Sequence, residues 1–142
     1  MKARLGAMAY VVSGVRASRR LPLLTTVSVD GAVQLVREAH GVTVGNCGAL
    51  AGGMSLMPTA DPTDGLLDGV AFLQRSLVDW ARVAWSVVSR RDHPNLPQFR
   101  GQVIDISTDK PQAVEVDGDV VGEASRVRFR VQAGALLVRC PK

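Results

Sequence analysis

The segment TTVSVDGAVQLV, residues 25–36, indicates the fold class because it has the pattern of a β-hairpin. Two apolar runs rich in β-branched residues, Thr25–Val29 and Ala32–Val36, flank the dipeptide Asp30-Gly31. Asp-Gly between such runs favours a two-residue turn with positive φ angles. Near the other end of the chain, apolar residues and arginines alternate through Arg126–Val131, which is typical of a strand with one buried and one solvated face.

Short strands are predicted in most of the remaining chain. Their bounds are Val42–Val44, Met54–Met57, Val70–Leu73, Val103–Ile106, Ala113–Val116 and Ala135–Val138. Helical spacing of apolar residues predicts one helix over Met1–Arg20 and a second from Ser76 to near Arg90, while two prolines predict a connecting loop at His93–Arg100. The expected fold is mainly β, an antiparallel β-sandwich with two peripheral helices.

Length and composition limit the class of protein. The chain has 142 residues, 46% of them hydrophobic, with 17 basic and 13 acidic residues and a net charge of +4. One domain over residues 1–142 is expected. Abundant Leu and Val with this small net charge exclude disorder, and no apolar run reaches the roughly 18–20 residues of a membrane helix. Two cysteines exclude a disulfide framework.

The positive charge is concentrated in one segment, residues 1–20, which has five basic residues and no acidic one. A basic last turn suits the dipole of the predicted helix, and a helix lying on a membrane surface is the functional alternative. With only 4% aromatic residues and the excess charge at one end, nucleic-acid binding is not expected.

Common catalytic and metal motifs are absent. The sequence has no Gly-x-Ser-x-Gly elbow, and its histidines and cysteines lack zinc-ligand spacing. Their positions are His40, Cys47, His93 and Cys140. The glycine-rich segment Gly45–Gly53 lacks the Gly-Lys-Ser/Thr of a phosphate-binding loop, so a flexible or bulged strand connection is the simpler interpretation.

An acidic loop, Asp61–Asp68, is a candidate cation site. Proline and glycine exclude a regular helix here, so backbone carbonyls stay free beside the carboxylates. Carboxylates and carbonyls are the ligands that Mg²⁺ prefers. A solvated turn remains the alternative, because Asp-Gly is common turn chemistry.

A second acidic cluster, Glu115–Asp119, contains three carboxylates separated by single residues. In an extended strand these would lie on one face, where their repulsion calls for a cation or another positive partner. The alternative is a second hairpin like that at Asp30-Gly31.

Three groups of residues, taken in order, form a pattern that extends over nearly the whole chain. They are Gly45-Asn46 with Gly52-Gly53-Met54, then Pro58, Ala60 and Asp64–Asp68, and finally Val116–Asp119. This pattern resembles the C-terminal domain of the diacylglycerol kinase catalytic family, which includes bacterial lipid kinases and is related to sphingosine kinases.

The resemblance implies an ATP-dependent lipid kinase of two domains, with the catalytic site in the cleft between them. The family's Gly-Gly-Asp-Gly-Thr nucleotide loop does not occur in this sequence. We therefore expect the N-terminal nucleotide-binding domain to be absent from this chain, and the chain to be inactive alone. The family's catalytic base corresponds to Asp117, and Asp119 stands where the family usually has Glu. The family's structural Mg²⁺ site corresponds to the Asp64 carboxylate and the carbonyls of Asp61 and Leu66.

The expected partners follow from the same resemblance. They are ATP, a lipid substrate at the membrane surface and the chain's own N-terminal domain; a homodimer is left open. The resemblance also implies a cytoplasmic protein at the inner face of the membrane. The competing hypothesis is a non-enzymatic β-domain that binds a membrane surface or a protein through its basic first helix. Cys47, where the family more often has Gly, has no interpretation.

Overall fold

The computed structural model describes residues 21–48, 56–73, 79, 96–117 and 119–136. Seven β-strands lie in these ranges. They are β1 (Leu23–Val29), β2 (Ala32–Ala39), β3 (Gly41–Gly45), β4 (Leu67–Phe72), β5 (Gln98–Gly101), β6 (Val103–Val116) and β7 (Asp119–Arg130).

The strands form two antiparallel sheets. The larger sheet has the order β2-β1-β6-β7, and the smaller has the order β3-β4-β5. The main hydrophobic core contains residues of both sheets, so it lies between them. Its buried members are Val27, Val29, Ala71, Phe99 and Ile104. The predicted mainly β, sandwich-like fold is confirmed.

The two sequence patterns that indicated this fold are both confirmed. Asp30-Gly31 connects β1 to β2 with φ angles of 49° and 85°, as a two-residue hairpin turn requires. In β7, Phe129 packs against the core, and Arg126, Arg128 and Arg130 are exposed. Val127 and Phe129 are partly buried, so alternation predicted correctly which face of this part of β7 is turned away from solvent.

The prediction of separate strands at Val103–Ile106 and Ala113–Val116 was wrong, because both belong to β6. The pairing of β6 with β7 shifts between Ser107 and Gln112, so four residues of β6 bulge where β7 continues. Pro111 lies in this bulge, where its missing N–H does not interrupt the ladder. The turn residues in the sequence marked a bulge and not the end of a strand.

Three other predicted boundaries also need correction. The predicted loop His93–Arg100 overlaps β5, since Gln98–Gly101 pairs with β4. In the predicted strand Met54–Met57, residues 56 and 57 form a bend, and residues 54 and 55 lie outside the described residues. In the predicted strand Ala135–Val138, residues 135 and 136 are not in a strand, and the rest lies outside.

The two predicted helices fall almost entirely outside the described residues. Met1–Arg20 is not described, and of the second helix only Asp79 is described, in helical conformation. Within the described part of the chain, no helix meets the length and hydropathy of a membrane span.

Candidate functional site

The acidic loop before β4 is ordered by its own aspartates. The Asp61 carboxylate accepts hydrogen bonds from the Thr63 amide (2.8 Å) and the Thr63 hydroxyl (2.7 Å). The Asp64 carboxylate accepts one from the Leu66 amide (2.8 Å). The two bonds in which a backbone amide donates to the aspartate two residues earlier are Asx turns. The bonds from Thr63 lower the pKa of Asp61 below its ordinary value, because they stabilise the ionised carboxylate.

The predicted loop Asp61–Asp68 ends at Leu66, because Leu67 and Asp68 belong to β4, where Asp68 supplies a third carboxylate. Asp68 is 3% exposed and is the cross-strand neighbour of Arg100 on β5. The Arg100 guanidinium donates a hydrogen bond to Asp64 Oδ2, and its Nε lies 4.0 Å from Asp68 Oδ1. This hydrogen bond raises the pKa of Arg100 above its ordinary value. One guanidinium thus bridges an outer and a buried carboxylate.

The residues predicted to hold Mg²⁺ are close together here and have suitable donor chemistry. Asp64 supplies a carboxylate, and the Asp61 carbonyl accepts one long bond, from the Asp64 amide (3.4 Å). A carbonyl has two lone pairs, so this one retains capacity for a cation. No cluster of three acidic, histidine or cysteine side chains among the described residues could hold a metal by itself. The ligand set therefore depends on backbone carbonyls, and Arg100 occupies the carboxylate that a cation would use.

The second acidic cluster is a hairpin turn, as the alternative interpretation proposed. Val116 pairs with Asp119 across the turn, and Asp117 has a φ angle of 51°. Glu115 pairs with Val120, so it lies on the opposite face of the hairpin from Asp119. The expectation that three carboxylates share one face was wrong, because the chain reverses where an extended strand was assumed.

Asp117 lies at the exposed tip of this hairpin. Its carboxylate makes no hydrogen bond or ion pair with any described residue, and the same is true of Asp119. Three valines around it are 55–65% exposed: Val116, Val120 and Val121. The tip therefore has a carboxylate without a partner among the described residues, next to an apolar surface that the described part of the chain does not cover.

The two predicted sites lie in different parts of the fold. The acidic loop precedes β4 of the smaller sheet, whereas Asp117 follows β6 of the larger sheet. No hydrogen bond or ion pair between described residues connects them. Cys47 is exposed with a free thiol, and its role has no structural explanation.

Sequence reasoning missed the contribution of Arg100. Pro94 and Pro97 favour a loop for its segment, although the sequence alternates polar Gln98 and Arg100 with Phe99 and Gly101, which are buried in the structure. That alternation was the signal for a strand. Once β5 is aligned with β4, the register places Arg100 next to Asp68.

Comparisons with known proteins agree with this architecture. The model of the YegS C-terminal NAD kinase beta sandwich-like domain matches residues 1–140. The uncharacterized protein sll0036 of Synechocystis sp. is 27% identical over 133 residues, covering 86% of this chain and 30% of that protein.

Two solved structures from Bacillus anthracis share the fold. A diacylglycerol kinase is 24% identical with a TM-score of 0.66, covering 92% of this chain and 45% of that one. A proposed diacylglycerol kinase is 20% identical with a TM-score of 0.69, covering 88% and 41%. The chain thus spans less than half the length of these relatives.

Proposed function

The chain belongs to the family of YegS C-terminal NAD kinase beta sandwich-like domains, and we propose that it is the lipid-acceptor and catalytic-base half of an ATP-dependent lipid kinase of the diacylglycerol kinase type. In this proposal an N-terminal domain outside these 142 residues binds ATP. The chain covers 41–45% of the two similar solved chains, which is compatible with such a division.

The observation that carries the proposal is the environment of Asp117. Its carboxylate is exposed at the tip of a hairpin and has no partner among the described residues. A general base must be free to accept a proton and must reach the reacting hydroxyl. The exposed valines beside it suit either the acyl chains of a lipid or an apolar surface of the nucleotide-binding domain.

The proposed reaction assigns one proton transfer to this carboxylate. Asp117 accepts the proton of the lipid hydroxyl as that oxygen forms a bond to the γ-phosphorus of ATP. The bond between the γ-phosphorus and the bridging oxygen breaks, and ADP leaves with that electron pair. Positioning the hydroxyl is the main contribution of the protein, because phosphoryl transfer needs little covalent chemistry from it. Asp119, on the next strand, adds negative charge that favours proton transfer.

We further propose Mg²⁺ as a structural ion of the acidic loop. The Asp64 carboxylate and the carbonyls of Asp61 and Leu66 would hold it. A bound Mg²⁺ would cross-link the loop and offset its negative charge. The proposed location is the cytoplasm, at the inner face of the membrane, where a lipid acceptor is available.

The test replaces Asp117 by Asn in a protein that carries both this chain and the nucleotide-binding domain. Asn tolerates positive φ as well as Asp does, so the turn is retained while the base is lost. We expect phosphorylation of a dispersed diacylglycerol by ATP to fall by roughly 10²–10⁴-fold. The rate is followed by transfer of labelled γ-phosphate to the lipid.

Asp109→Asn is the matched control, because Asp109 is also an exposed aspartate and lies in the bulge of β6, away from the hairpin tip. It should retain the parental rate. Near-parental turnover by a folded Asp117→Asn protein would exclude this residue as the base.

A further inference from the structure

Asp68 is a buried carboxylate with incomplete hydrogen bonding. It is 3% exposed, and its Oδ2 has no hydrogen-bond partner among the described residues. Its Oδ1 accepts a long bond from the Thr59 hydroxyl (3.3 Å) and lies 4.0 Å from Arg100 Nε. A buried carboxylate oxygen without a donor is unfavourable, so this side chain has an unmet need for a positive donor.

Arg100 is the positively charged donor that pairs with this carboxylate, but its hydrogen bond goes to another aspartate. Its Nη2 bonds to Asp64 Oδ2, in the part of the acidic loop that we propose to bind Mg²⁺. The Arg100 side chain is 43% exposed, so it has room to change rotamer. A guanidinium has five N–H donors, more than its bond to Asp64 uses, so Arg100 has donors to offer Asp68.

A divalent cation on Asp64 would act directly on this arrangement. It would compete with the guanidinium for the same carboxylate oxygen and would also repel it as a like charge. Asp68 is then the closest negative group to receive Arg100, since the two residues are already cross-strand neighbours. The buried carboxylate would gain the donor it lacks as the outer carboxylate gains the metal.

We infer that Arg100 is a built-in counter-ion of the acidic loop, that a divalent cation displaces it from Asp64, and that Asp68 receives the displaced guanidinium. This inference rests on the proposed Mg²⁺ site. Arg100 sets the affinity of that site by competition, and Asp68 strengthens metal binding without being a ligand. The exchange connects metal occupancy to the pairing of β4 with β5.

Titration calorimetry of the 142-residue chain with MgCl₂ tests the inference. Arg100→Gln removes the competitor and should tighten Mg²⁺ binding by roughly 5-fold or more, the lower end of ordinary coupling between sites. Asp68→Asn removes the receiving charge and should weaken binding several-fold. When Arg100→Gln is already present, adding Asp68→Asn should not change Mg²⁺ affinity further, because no guanidinium remains for Asp68 to receive.

Two controls complete the set. Arg128→Gln removes a comparable exposed Arg–Asp pair from the larger sheet and should leave Mg²⁺ affinity unchanged. Asp64→Ala removes the proposed ligand and should abolish binding. An NMR titration of the unmutated chain, following the Arg100 Nε–H resonance, should show that resonance shift as Mg²⁺ binds, whether or not the variants fold.

The outcomes separate the two proposals. Unchanged affinity in Arg100→Gln, or weakening by Asp68→Asn that persists without Arg100, overturns the exchange and leaves the metal site standing. An Arg100 resonance that does not move while Mg²⁺ binds also overturns the exchange. Absence of Mg²⁺ binding in the unmutated chain and in Arg100→Gln alike overturns both the site and the exchange.

Discussion

Two hairpin turns of the larger sheet begin with an aspartate in the same conformation, yet the two side chains have different surroundings. Asp30 follows β1 and Asp117 follows β6, and their φ angles are nearly equal at 49° and 51°. Asp30 accepts hydrogen bonds from the backbone amides of Gln102 (3.0 Å) and Val103 (2.8 Å). Asp117 makes no such bond to any described residue.

The difference lies in what surrounds each turn. Asp30 is held against the β5–β6 connection, where its own amide also donates to the Val103 carbonyl (2.9 Å). Asp117 instead has exposed valines on both sides of it. The same turn residue thus gives a structural carboxylate in one place and a carboxylate available for chemistry in the other. Local sequence determines the turn, and tertiary neighbours determine the use of its side chain.

The strongest way to disrupt the Asp30 side of this comparison is to block the close approach at Gly101. A Cβ there would come within 2.6 Å of Asp30 Oδ2 and would also collide with Val29. We expect Gly101→Ala to lower the free energy of unfolding by roughly 2–3 kcal/mol, as overpacking does. Urea unfolding measures this change.

Gly41→Ala is the matched control for this prediction. Gly41 also lies in a strand of the smaller sheet, but a Cβ added there would meet nothing within 4 Å. This variant should stay within about 0.5 kcal/mol of the parent chain. Equal losses in the two variants would show that close contact at Gly101 is not what fixes the Asp30 turn.

A smaller difference in stability compares Asp30 and Asp117 directly. Alanine at either position removes the carboxylate and introduces the same unfavourable positive φ, so the strain cancels between the two variants. We expect Asp30→Ala to be less stable than Asp117→Ala by about 1–2 kcal/mol, because only Asp30 loses bonds to backbone amides. Urea unfolding of both variants gives the difference. Equal stability would mean that the bonds of Asp30 contribute nothing.

The smallest expected effect on stability concerns Asp105, whose carboxylate is bound by a side chain, whereas that of Asp30 is bound by backbone amides. Arg128 donates to Asp105 through Nε (2.7 Å) and Nη2 (3.2 Å), which lowers the pKa of Asp105. A lowered folded-state pKa gives stability that is present above the unfolded value of about 4 and is lost as the pH falls through the folded value.

Arg128→Gln should therefore lose less free energy of unfolding than the parent chain between about pH 6 and about pH 3. Urea unfolding across this range checks the prediction, and added salt should reduce the difference because the pair is exposed. Parallel pH profiles for the two proteins would contradict it.

Sequence patterns predicted those features that depend on neighbouring residues. The Asp30-Gly31 hairpin and the alternation of Arg126–Val131 are local, and both are confirmed. Pro111 and Pro97 misled the assignment of β6 and β5. In a sequence, a proline in a strand bulge or beside a short strand cannot be distinguished from a proline in a loop. To distinguish a bulge or a strand end from a loop, one must know which strand pairs with the segment.

In the candidate site, too, the local features could be predicted from the sequence and the long-range contacts could not. Proline and glycine in the acidic segment predicted a loop, and the hydrogen bonds of Asp61 and Asp64 within that loop are local. The pairing of Arg100 with Asp64 joins residues 36 positions apart and depends on the register of β5. The partners of Asp30 are 72 and 73 positions away. No local pattern contains that information.

The contrast between Asp117 as a catalytic base and Asp30 as a structural residue is tested by measuring activity and stability together. Lipid phosphorylation and thermal unfolding are followed for Asp117→Asn and Asp30→Asn in the two-domain protein. We expect Asp117→Asn to keep its melting temperature and to lose roughly 10²–10⁴-fold in rate, whereas Asp30→Asn melts earlier and keeps its rate per folded molecule. Parental turnover by folded Asp117→Asn, or an equal loss of rate per folded molecule in both variants, would contradict this assignment.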